Sequence, residues 1–478
     1  RRVHGESKME KKQATFVFIP APPMGHILAT LEFGMRLLNL RSDINIHVLL
    51  ISMPNYHSSD SHIQSLVAAQ PRLQISKIPT VAPPPPDILQ KSSEKYLYDF
   101  MDSHSSHVRN SISEIVAASA FQGFRIAGVV MDIFTVPMLD VVNEFSLSPY
   151  VFFTPNLGLL RFMLYLATSL GEDCSTYSMS DPDCIIPGYR NPVPVNVLPS
   201  CCFNKEGGFT ALLNLSRRLK DVKGILVNTF DELEEIPSNS PGGGISPMIC
   251  AVGPVISFKG FPTSNTDDSN LESVMEWLEE QPEASVVFIC FGSGGGGGLI
   301  SEDQVKEIAT GLEQSKQRFL WQMRPPNGKT AEDVLPEGFM ERTKGKGMIC
   351  GWVKQVDVLA HTAIGGFVSH CGWNSTLESI WYGVPIATLP FGAEQQLNAF
   401  QLVKELGMSV ELKIDHRPGV QLVSADDVEK AVVELMDEES EVRKKVKEMS
   451  IAARKAVSEG GSSSSSLAQF ADKVFGCA

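Results

Sequence analysis

Between Trp352 and Gln395 the chain gathers residues whose types and spacing suit a phosphorylated ligand. Phe367-Val-Ser-His-Cys-Gly-Trp-Asn-Ser375 reads as a strand that enters a helix through a tight turn of small residues. A helix beginning there presents free backbone N–H groups and the positive end of its dipole to an anion. His370, Asn374 and Ser375 add side-chain donors at the same turn, which suits a diphosphate. Glu378 follows Asn374 by four residues on the same helix face, where a carboxylate can accept both hydroxyls of a ribose. Trp352 and Trp373 offer flat faces for a base and for packing near a sugar. Taken singly, Asn374 and Ser375 suit an ordinary helix N-terminus equally well; the combination is what points to a ligand.

A second place for chemistry lies near the other end of the chain. Pro22-Pro-Met-Gly-His26 follows a short apolar run and opens an amphipathic stretch. That places an imidazole at the carboxyl end of a strand, the edge where open α/β sheets bind ligands, and an imidazole suits a general base near neutral pH. Asp132 ends the apolar run in Val129-Val-Met-Asp-Ile-Phe134. A carboxylate there is costly to bury unpaired, so it either caps the helix expected over 136–144 or serves a partner.

The elements that must position these groups are short apolar strands alternating with amphipathic stretches, the pattern of a parallel α/β sheet. Strands are expected at 15–21, 45–52, 73–78, 126–134, 150–154 and 224–229, with helices at 27–40 and 93–118. A second set follows at 285–290, 319–323, 347–351, 364–369 and 385–390. The Gly/Pro/Ser-rich stretch 252–270 reads as a linker between two domains, 9–251 and 271–457. Residues 174–208 break the rhythm with prolines, cysteines and glycines and suit a mobile loop lining a cleft. The Gly-Ser run at 459–466 reads as low-complexity linker before a short helix at 467–475, in a segment 458–478 able to pack back on the first domain. Residues 1–8 precede Met9 and are assigned no function.

Composition narrows the classes. A chain of 478 residues is long enough for two or three domains. Its 55 acidic against 41 basic side chains, net −14, disfavour a non-specific nucleic-acid binder, which needs a clustered basic face. No run approaches the roughly 18 apolar residues of a membrane span. Nine scattered cysteines show neither CxxC nor a zinc spacing, and most are expected reduced and buried. With no secretory apolar segment before Pro20, a cytoplasmic location is expected.

Trp352-Val-Lys-Gln355, His370-Cys-Gly-Trp-Asn-Ser375, Glu378 and Ala393-Glu-Gln395 together resemble the signature of plant secondary-product glycosyltransferases, at the expected spacing. The resemblance extends over most of the chain and implies a family 1 UDP-glycosyltransferase of GT-B fold, two Rossmann-like domains facing across a cleft. By that resemblance Trp352 would stack on uracil, while Val353 and Gln355 would bond the base and ribose. Glu378 would hold the ribose diol, and Ser293, His370, Asn374 and Ser375 the diphosphate. Trp373, Glu394 and Gln395 would contact the sugar, Gln395 pointing to glucose over galactose. His26 and Asp132 match the catalytic base and its orienting acid, for inverting transfer of glucose from UDP-glucose to a flavonoid or related phenol. No metal or other cofactor is implied, and a monomer is expected.

The chain departs from that pattern at two glycines. Phe291-Gly-Ser-Gly-Gly-Gly-Gly-Gly298 follows a strand and contains GxGxxG, so an NAD(P)-dependent oxidoreductase must be weighed. A polyglycine run meets that motif trivially, and the strand after it ends without a ribose-binding acid. A catalytically silent UDP-sugar-binding protein is the other rival, and would be expected to lack His26 or Asp132. Gly294 and Gly392 stand where relatives carry side chains, and with Phe134 they are expected to shape the acceptor pocket. Small residues at the Gly392 position resemble those of some flavonoid C-glycosyltransferases, so C- and O-linkage are left equally open.

Overall fold

The computed structural model describes residues 13–53, 60–169, 175–235, 247–258, 268–292, 300–325, 328–419 and 421–475. Two parallel sheets dominate it. The first contains β1 (Ala14–Ile19), β2 (Ile44–Leu50), β3 (Leu73–Lys77), β4 (Arg125–Asp132), β5 (Pro149–Phe153), β6 (Gly224–Val227) and β7 (Met248–Ala251), in the order 3-2-1-4-5-6-7. The second contains β8 (Val286–Cys290), β9 (Arg318–Gln322), β10 (Gly347–Cys350), β11 (Ile364–Ser369), β12 (Ile386–Thr388) and β13 (Ser409–Val410), in the order 10-9-8-11-12-13. Every recorded strand pair is parallel. Such strands are covered on both faces, which is why they read as unbroken apolar runs; β5, β8 and β11 are buried along their whole length.

In each sheet the strand order reverses beside the first strand. β1 lies next to β4 in one, β8 next to β11 in the other. The loops leaving those strands diverge there and open a crevice at the carboxyl edge. His26 follows β1 and Asp132 ends β4; Phe291-Gly292 follows β8 and His370 follows β11. His26 with Asp132, and Gly292 with His370, therefore sit at the switch points of the two sheets, while Trp352 and Gln355 follow β10 at the edge of the second.

Aromatic packing fixes the helix that carries His26. Phe33, on the helix Met24–Leu40, stacks on Phe152 of β5 with centroids 4.6 Å apart and planes 6° from parallel, and on Phe18 of β1 at 6.0 Å. Pairs of this geometry add about 0.5–1.5 kcal/mol beyond area burial. The helix is thereby held at fixed depth on the sheet, with His26 in its first turn.

Three expectations are corrected. The stretch 93–118 is not one helix but two, Ser93–Ser103 and Ser105–Gln122, broken at His104. The buried His104 imidazole bonds the carbonyl of Phe100 at 2.8 Å, replacing the backbone partner that a continuous helix would supply. The serine run is not linker: a helix spans Ser462–Phe475, its register set by buried Leu467, Phe470 and Ala471. Phe470 packs on Phe16 and Tyr150 of the first sheet, and Arg41 and Arg125 lie over the ring of Phe475. The loop 175–207 is largely seated rather than free, with short 3₁₀ turns at Val195–Val197 and Ser200–Phe203. It bonds the second domain through Ser200 N–H to Ala393 O at 3.1 Å and Arg417 to Leu198 O at 2.8 Å. All seven cysteines among the described residues are free and buried, and no described helix is long and apolar enough to cross a membrane.

Candidate active site

On the first domain, Asp132 is wholly buried at the end of β4 and does two things at once. Its Oδ1 accepts from Phe134 N–H at 2.9 Å, capping the 3₁₀ turn Ile133–Met138, while Oδ2 meets His26 Nδ1 at 2.7 Å. The cap and the partner foreseen as alternatives coexist. Thr135 completes the anchorage, its hydroxyl donating to Ile19 O at 2.7 Å and so tying β4 to β1. Thr154, at the end of β5, places its hydroxyl 2.9 Å from the same Nδ1. Nδ1 is thus engaged by both partners, and Nε2 is the nitrogen left to accept a proton. Phe134 stands beside the imidazole, centroids 5.3 Å apart.

Burial pulls the His26 pKa down, but the charge of Asp132, its hydrogen bond and the nearby Glu394 outweigh that and leave it raised above 6.5. Glu394 belongs to the second domain, so the two halves already meet at this histidine. Its own carboxyl is pushed up by burial, against the pull of its own backbone, His26 and Asn398.

On the second domain, His370 sits in a pocket that glycine makes possible. Gly292 has φ +83, and a β-carbon there would lie 2.9 Å from His370 Nε2. Burial lowers the His370 pKa to about 4, so the ring is neutral at physiological pH, and its Nδ1 is buried with no protein partner. Asn374 Nδ2 donates to Gly25 O at 3.2 Å, joining the helix Trp373–Tyr382 to the turn before His26, while its Oδ1 is buried without a partner. Gln355 Nε2 bridges Glu378 Oε2 at 2.6 Å and Ser375 Oγ at 2.9 Å. Burial raises the Glu378 pKa to about 7, an effect the Gln355 bond partly offsets. Gln395 spends its Oε1 on Phe391 N–H and Gly392 N–H, at 2.9 and 3.2 Å, which leaves its Nε2 as the donor for a ligand.

Trp352, Val353, Gln355, Asn374, Ser375 and Glu378 line one cleft between the domains, opposite Gly25, Leu28 and Ala29. Val353 lines that cleft with its side chain buried in the apolar core. Ser293 and Gly294 lie outside the described residues.

A model of the family described as "UDP-glucoronosyl and UDP-glucosyl transferase" matches residues 254–454. "UDP-glycosyltransferase 71K1" of Malus domestica is 45% identical, covering 97% of this chain and 99% of the relative. The chain belongs to the UDP-glycosyltransferases. "UDP-glucose flavonoid 3-O-glucosyltransferase 6" of Fragaria ananassa is also 45% identical over 97% of the chain and 99% of its own length. The crystal structure of Medicago truncatula UGT71G1 complexed with UDP-glucose superposes with a TM-score of 0.91, at 45% identity over 97% of this chain and 99% of that one. The two parallel-sheet domains are those of the GT-B fold.

Membership in this glycosyltransferase family removes the oxidoreductase reading of the glycine run. β9 ends in Gln322, not in an acid that would bond a dinucleotide's ribose. The side chain of Trp373 is a second correction. Its indole is 4% exposed, packed among Phe230, Leu233 and Ile256, and its N–H donates to Asn228 O at 2.7 Å. The ring joins the two domains, and its N–H is spent on Asn228 rather than left for a ligand. Two residues went unforeseen. Thr154 was visible only as the end of an apolar strand. Gln322 lines the cleft with Oε1 buried and unpartnered, and its position at the carboxyl edge of β9 was the available signal.

Proposed function

We propose that this glycosyltransferase moves glucose from UDP-glucose to a phenolic hydroxyl of a flavonoid-like acceptor, with inversion and without a metal. The observation that carries the reading is the His26–Asp132 pair, 2.7 Å apart at the switch point of the first sheet and facing the signature residues of the second. Asp132 holds the Nδ1–H tautomer, and His26 Nε2 takes the acceptor's hydroxyl proton as that oxygen attacks the anomeric carbon. The anomeric C–O bond to the diphosphate breaks on the opposite face and UDP departs. His370, Asn374, Ser375 and the amide groups at the start of Trp373–Tyr382 meet its charge. Glu378 accepts the ribose hydroxyls, Trp352 stacks on the base, and Glu394 and Gln395 bond the sugar.

The raised pKa of His26 sets the pH dependence. The base works only when neutral, so kcat/KM rises with pH through a pKa above 6.5. Asp132→Asn removes the charge that holds this pKa up, and the rising limb moves to lower pH as the plateau falls. A limb that stays in place in Asp132→Asn, measured by initial rates across pH 5–9, contradicts the pairing. The same pair adds stability that is fully present below 6.5 and lost as pH rises through the folded-state pKa.

The Fragaria ananassa relative, a flavonoid 3-O-glucosyltransferase by name, supports O-linkage. One observation favours C-linkage as a second reading: a β-carbon at Gly392 would meet only Ser200 Oγ, 3.8 Å away, so the acceptor side is open there. Acid treatment of the product decides between them. Release of intact glucose is expected; a sugar that resists acid overturns O-linkage while leaving the role of His26 in place.

A further inference from the structure

We propose that Asn398, held by Asn156, is a positioning residue that registers the donor turn against the catalytic histidine; the proposal rests on the function proposed above. The two asparagines come from different domains, 242 residues apart, and neither is exposed. Asn156 Nδ2 donates to Asn398 Oδ1 at 3.0 Å and to Gln401 Oε1 at 2.7 Å, using both of its hydrogens. Its own Oδ1 accepts from Leu159 N–H at 2.8 Å and caps the helix Leu157–Ser169. Asn398 and Gln401, three residues apart, share a helix face. Gln401 Nε2 passes the chain on to Glu234 Oε1 at 2.6 Å, and that buried carboxylate accepts from Leu157 and Gly158 N–H at 3.0 and 2.9 Å.

What makes this more than a seam is where its ends lie. Asn398 Nδ2 donates to the carbonyl of Cys371 at 2.9 Å. Cys371 is a non-glycine residue at φ +64, a conformation that persists only where surroundings enforce it. The Ser369 hydroxyl holds its N–H at 3.1 Å and Asn398 holds its C=O, so the residue after His370 is gripped through both of its flanking peptides. Asn398 also touches Glu394. At the other end, Asn156 lies two residues beyond Thr154, which bonds His26 Nδ1. One buried relay therefore links the turn carrying His370 to the turn supporting His26. In-line displacement depends on that registration, since displacements of about 1 Å cost roughly a hundredfold in rate.

Asn156→Ser tests this, because serine keeps the helix cap and removes only the reach to Asn398 and Gln401. Asn398→Ala and the double variant complete the cycle. Expected is a fall in kcat for glucosyl transfer of roughly ten- to a hundredfold in each single variant. UDP affinity by calorimetry is expected to change far less, since Trp352, Gln355 and Glu378 lie outside the relay. The double variant is expected to be no worse than the worse single one, as for two parts of one relay. A merely structural role would lower thermal stability and leave the kcat of the folded enzyme unchanged; that result overturns the proposal, as do effects that multiply in the double variant. Should Asn398→Ala not fold, the kcat of Asn156→Ser decides alone. His26→Ala, measured alongside, reports on the base assignment separately.

Discussion

Replacing His26 with alanine is expected to lower kcat for glucosyl transfer by about 10²–10⁴, the usual contribution of a positioned general base. UDP binding should survive, because Trp352, Gln355, Ser375 and Glu378 lie on the other domain. The variant keeps Asp132 tied to Phe134 N–H, so the 3₁₀ turn remains capped. It also leaves a buried carboxylate without its imidazole, and a modest loss of thermal stability should accompany the loss of rate. Transfer at the wild-type rate by a variant that still binds UDP would remove His26 from the mechanism. Equal loss of UDP binding and of rate would move its role to the donor site.

Glu378 should produce the largest effect on donor affinity. Burial pushes its pKa up to about 7, so it takes up a proton as the pH falls through neutrality. Only the ionised carboxylate accepts from both ribose hydroxyls, so UDP binding favours deprotonation and weakens as pH falls below about 7. Glu378→Gln cannot ionise. It is expected to weaken UDP binding roughly ten- to a hundredfold at pH 8, in line with about 1.5–3 kcal/mol for a hydrogen bond to a charged group. It should also flatten the pH dependence. Calorimetric titration with UDP between pH 6 and 8 checks both points; a wild-type affinity constant across that range would contradict the role given to this carboxylate.

The parts of this enzyme that could be read from its sequence are those whose physics is local. β11, the turn after it and Glu378 fall within about fifteen residues, so strand, glycine turn, helix start and carboxylate are visible together. His26 and Asp132 could be placed at strand ends because both-face burial makes β1 and β4 stand out as apolar runs. β7 and β13, with four and two residues, are too short to show any periodicity. What stayed hidden is set by partners distant in the chain. Trp373 reads as a ligand-facing aromatic until Asn228, 145 residues away, takes its N–H. Asn156, Asn398 and Gln401 are unremarked polar residues in apolar surroundings until the two domains close on them. Composition alone argues for flexibility in the serine run, whereas Leu467, Phe470 and Ala471 bury one side of a helix that begins among the serines.

Inverting transfer from UDP-glucose to a phenolic oxygen is the step on which the other expectations depend. Incubating the enzyme with UDP-glucose and a flavonol, then following UDP release and the product's anomeric proton by NMR, tests it most directly. One UDP released per glucoside formed and a β-linked product from the α-linked donor are expected. An α-linked product, or glucoside formed without UDP release, would contradict it.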